Sequence, residues 1–190
     1  MCGLTGIVDP KRRFGAAETR TMALAQAHRG PDDHADWSDP VLPVSFSFLR
    51  LAILDLSADG NQPMHDGPLT LVYNGEIYNY RELRAQLESQ HGSVFRSTSD
   101  TEVLLKGFLI WGVAETLAKV NGMYGLSLLD QAIAYGGGRL DEAVVRAMLG
   151  SVDRRHAAAL VQALAANDGR APDLGPTVGG ALVGAAQAVA

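Results

Sequence analysis

The large side chains of this chain are confined to its first two thirds, and that confinement limits what it can fold into. In a chain of 190 residues, both tryptophans (Trp37, Trp111) and all five phenylalanines lie before residue 131. Residues 131–190 hold 25 alanines and glycines in 60 positions, and their one aromatic is Tyr135. Such a segment can form helices but builds a poor core alone, because small side chains remove little apolar surface from water. The core is therefore expected in residues 1–130, followed by an Ala/Gly-rich helical tail over 131–190. Charge divides in the same way. The first part holds 11 basic and 16 acidic residues and so carries the whole net charge of −5, whereas the tail balances 5 against 5.

That acidic balance argues against nucleic acid as a partner, since phosphate binding needs a basic face. There is no polybasic anchor and no apolar run long enough to span a bilayer, so no membrane association is expected. Cys2 is the one cysteine, which excludes an internal disulfide. The N-terminus lacks the basic and apolar regions of a signal peptide. The expected compartment is the cytoplasm.

Hydrophobic pattern and turn residues predict the elements of the first part. Gly3–Val8 reads as a strand and Ala16–His28 as a helix. Residues 28–40 read as a loop and 41–54 as one or two strands, with another loop over 55–68. Leu69–Tyr73 reads as a strand running into an Asn74-Gly75 turn, since Asn-Gly between β-rich runs is a strong hairpin signal. A helix is expected over Tyr80–Gln90. A second, opened by the Ser99-Asp-Thr-Glu102 capping box, should run to Trp111. Asn121-Gly122 predicts a turn and Met123–Leu128 a strand. The order suggests an α+β layered domain. Beyond it, Leu140, Val144 and Met148 keep helical spacing, with Gly150 as the stop. Gln131–Tyr135 followed by Gly136-Gly-Gly138 resembles a strand–loop–helix phosphate site. Asp141 and Glu142, at the start of the following helix, would repel phosphate, so that reading is set aside.

Several residues could carry chemistry. Removal of Met1 would give Cys2 a free α-amine with a pKa near ~8 beside its own thiol, placed to act as its base. From Cys2 alone, an incidental cysteine near a frayed terminus is the simpler reading. Asn74 and Gly75 could offer a side-chain amide and a backbone N–H as two convergent donors to an oxyanion, or form a plain hairpin turn. Arg50, inside the apolar run from Phe46 to Leu54, needs an anionic partner: a substrate carboxylate or an internal Asp or Glu. Asp100, in the first turn of a helix, either complements the helix dipole or holds a substrate ammonium. Taken together, these four features suit an α-amino acid with a cleavable side-chain carbonyl. His28, Asp32, Asp33 and His34 lack metal-ligand spacing and read as solvated loop residues, so no metal is expected.

Met1-Cys-Gly-Leu-Thr-Gly-Ile-Val8 resembles the start of the class II glutamine amidotransferases, whose N-terminal-nucleophile domain begins with Cys. Five further motifs are similar to the asparagine synthetase branch of that family: His28-Arg-Gly-Pro-Asp-Asp33, Arg50-Leu-Ala-Ile-Leu-Asp-Leu-Ser57, Asn61-Gln-Pro-Met64, Tyr73-Asn-Gly-Glu-Ile-Tyr-Asn79 and Ser99-Asp-Thr-Glu-Val103. All six stand in the family's order within residues 1–130, which makes the match specific. The resemblance implies a glutaminase domain over 1–130 with an N-terminal-nucleophile αββα sandwich. It also implies Cys2 as nucleophile, Asn74 and Gly75 as oxyanion donors, Arg50 on the substrate carboxylate, and Glu76 and Asp100 on the α-ammonium. The implied reaction is glutamine hydrolysis to glutamate and ammonia, with ammonia passing to a domain that adenylates aspartate with ATP and makes asparagine.

The sequence departs from the family in three places. Phe48-Leu49 precede Arg50 where a polar or His residue is usual. The family's Arg-Phe-Gly…Pro-Leu-Tyr stretch after Asp130 is missing, as is its ATP-binding Ser-Gly-Gly-x-Asp-Ser. The sandwich is therefore expected to be incomplete, with no cofactor in this chain, ATP and Mg belonging to the absent synthetase domain. The expected partners are glutamine and either a synthetase domain or a second copy of the chain. Two alternatives remain: an inactive remnant that binds glutamine or an intact synthetase without turnover, and an N-terminal-cysteine hydrolase for another amide.

Overall fold

The computed structural model describes residues 2–136 and the backbone of Val144–Leu149. Two antiparallel sheets and their covering helices form an α+β architecture, as expected. The first sheet has the order β1-β3-β2, from β1 (Gly3–Val8), β2 (Asp33–Ser38) and β3 (Val44–Arg50). The second has the order β4-β5-β6-β7, from β4 (Met64–Asp66), β5 (Leu69–Ile77), β6 (Gly122–Asp130) and β7 (Val144–Leu149). The helices are α1 (Ala16–Leu24), α2 (Tyr80–His91), α3 (Asp100–Lys119) and the short α4 (Gln131–Tyr135).

Strand alternation assigns the layers. In the first sheet Leu4, Val8, Phe46 and Phe48 pack with Val72 and Leu129 of the second, which makes a core between the sheets. Residues of opposite parity in β5 and β6 (Leu71, Tyr73, Ile77, Leu126, Leu128) pack instead with Leu83 and Leu87 of α2 and Leu104, Leu105 and Phe108 of α3. On the far side of the first sheet lies α1, where the Thr5 hydroxyl donates to Thr19 O at 3.0 Å. The layers therefore run helix, sheet, sheet, helix pair.

Four expectations are corrected. Residues 33–38 form strand β2 rather than loop: only Ala35 and Trp37 are apolar there. Pairing to β3 is supported by Ser38–Ser45 hydroxyl contact at 2.8 Å and by Trp37 stacking on Phe46 at 5.8 Å. Asn74-Gly75 makes no turn. Strand β5 continues through it, with Asn74 opposite Gly125 and Gly75 opposite Tyr124. Gln131–Tyr135 is helical, with Asp130 accepting from the Ala132 and Ile133 N–H groups as its N-cap; this removes the strand of the phosphate-site pattern. Residues 144–149, read as part of a helix, form β7 antiparallel to β6. A β6 edge would otherwise leave its N–H and C=O groups without ladder partners. The rest of the expected helical tail, residues 137–143 and 150–190 with Leu140 and the Gly150 stop, lies outside the described residues.

Other expectations hold closely. The Ser99 hydroxyl accepts from Glu102 N at 3.3 Å, which caps α3. The expected end at Trp111 is where α3 breaks its axis, because Gly112 takes φ 79° before the helix resumes to Lys119. No helix among the described residues is long and apolar enough to cross a membrane.

A buried carboxylate joins the two sheets. Asp39, just after β2, accepts from Val41 N, Leu42 N, Gln131 Nε2 (2.6 Å) and Tyr135 Oη (2.9 Å). Burial pushes its pKa up. The hydrogen bonds, led by Leu42 N–H and Gln131, outweigh that and hold it below the usual value. Loss of hydrogen bonds to a charged acceptor costs about 1.5–3 kcal/mol. Asp39→Ala is expected to destabilise the chain by about 2 kcal/mol and Tyr135→Phe by about 1 kcal/mol, both measurable by urea unfolding.

Candidate functional site

The two sheets end around a cavity of about 550 Å³, within the size range of small-ligand sites. Cys2, Arg50, Asn74, Gly75, Glu76 and Asp100 all line it. Cys2 and Arg50 come from the end of the first sheet, Asn74, Gly75 and Glu76 from β5, and Asp100 from the first turn of α3. A smaller hollow of about 290 Å³, at the other end of β3 between Arg12 and Ser45, holds none of the six.

Cys2 is half-buried. Its Sγ accepts from Leu51 N at 3.3 Å, and its carbonyl accepts from Arg29 Nε at 3.0 Å. Both partners belong to the motifs quoted above. Gly30 explains why that segment can lie so close to β3, since a Cβ there would sit 2.2 Å from Leu49 O. Asp32 follows, with its N–H donating to Arg50 O at 2.9 Å and its carboxylate accepting from Ala52 N at 2.8 Å. The His28–Asp33 segment thus acts as a brace for the thiol and the loop after β3. No cluster of three or more potential metal ligands occurs among the described residues.

Arg50 is 8% exposed. Its Nη1 donates to Ser57 O at 2.7 Å and to Asn61 Oδ1, and its Nη2 to Asp55 O. All three acceptors are neutral. Of five guanidinium N–H donors, the Nε–H and one on Nη2 have no partner among the described residues. The internal ion pair considered from sequence is absent there, and a buried charge with unspent donors suits an incoming carboxylate.

The loop that wraps Arg50 is fastened by Asp55. Its carboxylate accepts from Ser57 N and Oγ (2.8 and 2.6 Å) and from Thr98 N and Oγ1 (2.7 and 3.1 Å). The Ser57 hydroxyl first, then the Thr98 N–H, hold the carboxyl well below the usual range. Between Asp55 and Asn61, Gly60 leaves the guanidinium its room, because a Cβ would stand 2.5 Å from Nη2. The same loop exposes Ile53, Leu54 and Leu56 beside the cavity.

In β5, Gly75 permits close approach of β6. A Cβ would meet Met123 O at 2.3 Å and Tyr124 Cβ at 2.4 Å. Asn74, of the parity that faces the other sheet, makes no side-chain hydrogen bond among the described residues, and Glu76 is exposed at the cavity. Asp100 is 4% exposed. Its Oδ2 accepts from Tyr73 Oη at 2.8 Å and Ile77 N at 3.0 Å. Burial pushes its pKa up, against the Ile77 N–H and the Tyr73 hydroxyl, which favour the charged form.

Sequence reasoning passed over Gln62, Tyr73, Ser99, Thr101 and Tyr124, which also line the cavity. Gln62 completes the edge of β5 beyond β4 by accepting from Tyr73 N at 2.6 Å and donating to Tyr73 O at 3.0 Å. Tyr73 precedes Asn74-Gly75 in its motif, which was the available signal. Burial first, then Asp100, push the Tyr73 hydroxyl far above the usual phenol range, and burial pushes Tyr124 up to about 12.

The class that fold and site define is a layered α+β domain whose cavity presents a thiol, a guanidinium and carboxylates. The chain belongs to the glutamine amidotransferase domain family, whose model matches residues 1–135. Relatives include a Mycobacterium tuberculosis protein named "Putative asparagine synthetase (glutamine-hydrolyzing)", 38% identical over 68% of this chain and 22% of its own length. Asparagine synthetase (glutamine-hydrolyzing) 3 of Bacillus subtilis is 37% identical over 69% of this chain and 22% of its own. Amidase chry2 of Gibberella zeae is 36% identical over 69% and 21%. The chain thus spans about a fifth of the length of these curated relatives.

Asp55 carries the pH test of the loop. A carboxyl depressed in the folded state contributes stability that is present above the unfolded value near ~3.9 and is lost as pH falls through the folded one. Asp55→Ala is expected to cost about 1–3 kcal/mol at pH 7. That difference should shrink progressively below about pH 4, as read by denaturant unfolding at pH 7 and pH 3.

Proposed function

We propose that the chain hydrolyses glutamine to glutamate and ammonia, with Cys2 as an N-terminal nucleophile once Met1 is removed. The observation that carries this reading is the meeting of six residues, from three separate stretches of sequence and an N-terminal thiol, around one cavity. The helix–sheet–sheet–helix layering with the thiol at the end of the inter-sheet space supports an N-terminal-nucleophile hydrolase sandwich built on residues 1–130.

In this mechanism the Cys2 α-amine takes the thiol proton, directly or through water. The sulfur adds to the side-chain amide carbon of glutamine, and the carbonyl electrons move to oxygen. Asn74 and Gly75 donate to that oxyanion. When the carbonyl re-forms, the C–N bond breaks, and the proton held by the α-amine leaves with nitrogen as ammonia. Water then adds to the thioester, the C–S bond breaks, and glutamate departs with the thiol restored. Arg50 holds the α-carboxylate through its two unspent donors, and Asp100 and Glu76 hold the α-ammonium. This chemistry draws on no cofactor in the chain. The ammonia would pass to a synthetase partner, a reading supported by relatives named asparagine synthetase (glutamine-hydrolyzing); in this proposal ATP and Mg would serve that partner, in the cytoplasm.

The test is glutamate release from glutamine by the purified chain, with intact mass to establish Met1 removal. Cys2→Ala is expected to reduce release below detection. Arg50→Lys is expected to raise KM for glutamine about tenfold or more, because a point charge replaces a planar fork. Cys2-independent release would remove the mechanism. A folded, Met1-free chain that binds glutamine without turnover would favour the remnant reading.

A further inference from the structure

Asp100 presents a physical problem. It is 4% exposed and sits against the apolar core of the second sheet and α3, yet a carboxylate binds an ammonium well only when ionised. Two donors answer this by converging on Oδ2: the Ile77 N–H at 3.0 Å and the Tyr73 hydroxyl at 2.8 Å. The first is fixed by the backbone. The second is a buried side chain on a clamped backbone. Gln62 clamps the Tyr73 backbone through both N–H and C=O, Tyr124 lies 6.1 Å away ring to ring, and the residue is 3% exposed. Tyr73 belongs to none of the roles assigned above.

We infer that Tyr73 is a positioning residue that reads the substrate's α-amine through Asp100: its hydroxyl fixes and charges the carboxylate that receives the ammonium. This rests on the glutamine reading above. Tyr73 itself touches no reacting atom, so its effect falls on recognition and spares the thiol chemistry. It also gives the site a chemical preference. A glutamine skeleton without its α-amine has no use for Asp100 and so none for Tyr73.

The experiment is titration of the Cys2→Ala chain, which binds without turnover, by NMR shifts with two probes, glutamine and 4-carbamoylbutanoate, its analogue lacking the α-amine. Tyr73→Phe in that background is expected to weaken glutamine about tenfold, the scale of one hydrogen bond to a charged group. Binding of 4-carbamoylbutanoate should change less than twofold. In the active chain the same substitution should raise KM with kcat nearly constant. Equal weakening of both probes, or of neither, would overturn the inference while leaving the glutamine site standing. No binding of glutamine by the parent chain would overturn the glutamine reading and the inference together. If Tyr73→Phe fails to fold, 3-fluorotyrosine at position 73 keeps the ring and makes the hydroxyl a stronger donor. Tighter glutamine binding is then expected, and unchanged binding would contradict the role.

Discussion

The close approach of β6 to β5 at Gly75 is the constraint on which the site depends. A side chain there would meet the Met123 and Tyr124 backbone at under 3 Å. With glycine in place, β5 stays straight through Asn74-Gly75-Glu76. Its alternation then sends Asn74 and Glu76 toward the first sheet while Tyr73 and Ile77 face α3. One strand therefore supplies polar groups on both of its faces. One set lines the cavity together with Cys2 and Arg50, and the other supplies the Tyr73 hydroxyl and the Ile77 N–H to Asp100.

The site is also a place where polar groups are left partly unsatisfied. Arg50 is buried against three neutral oxygens, and Asn74 carries a side-chain amide with no partner among the described residues. Buried charges are ordinarily paired, because desolvation without compensation is costly. Here the surrounding loop is held both by the guanidinium's bonds to Asp55 O, Ser57 O and Asn61 Oδ1 and by Asp55 with Ser57 and Thr98. The arrangement leaves donors without protein partners on residues that line a cavity and assigns structural duties to residues around it.

Much of this was legible in the sequence for physical reasons. The strands with apolar alternation, the two helices after Asn79 and the Ser99 cap follow from periodicity and local hydrogen bonding. The six candidate residues stood out because rare chemistry stood in ordered motifs, and the structure brings them to the lining of one cavity. What escaped was set by tertiary context. Asn74-Gly75 carries a turn's local preference, but pairing with β6 overrides it. Strand β2 is polar because it lies at an edge. Val144–Leu149 has helical spacing, but the ladder of β6 supplies partners for a strand. Tyr73 reads as a core aromatic in sequence, and only the fold shows its hydroxyl on Asp100.

The claim that Cys2 and the surrounding cavity form one glutamine-binding nucleophilic site is tested most directly by covalent capture. The chain would be incubated with a glutamine analogue bearing a diazoketone in place of the amide, then examined by intact mass and peptide mapping. The account predicts one adduct, formed by thiol displacement of dinitrogen, on Cys2 of chains lacking Met1, and its slowing by excess glutamine. A folded, Met1-free chain that gains no adduct, or gains one at a rate glutamine does not alter, would contradict it.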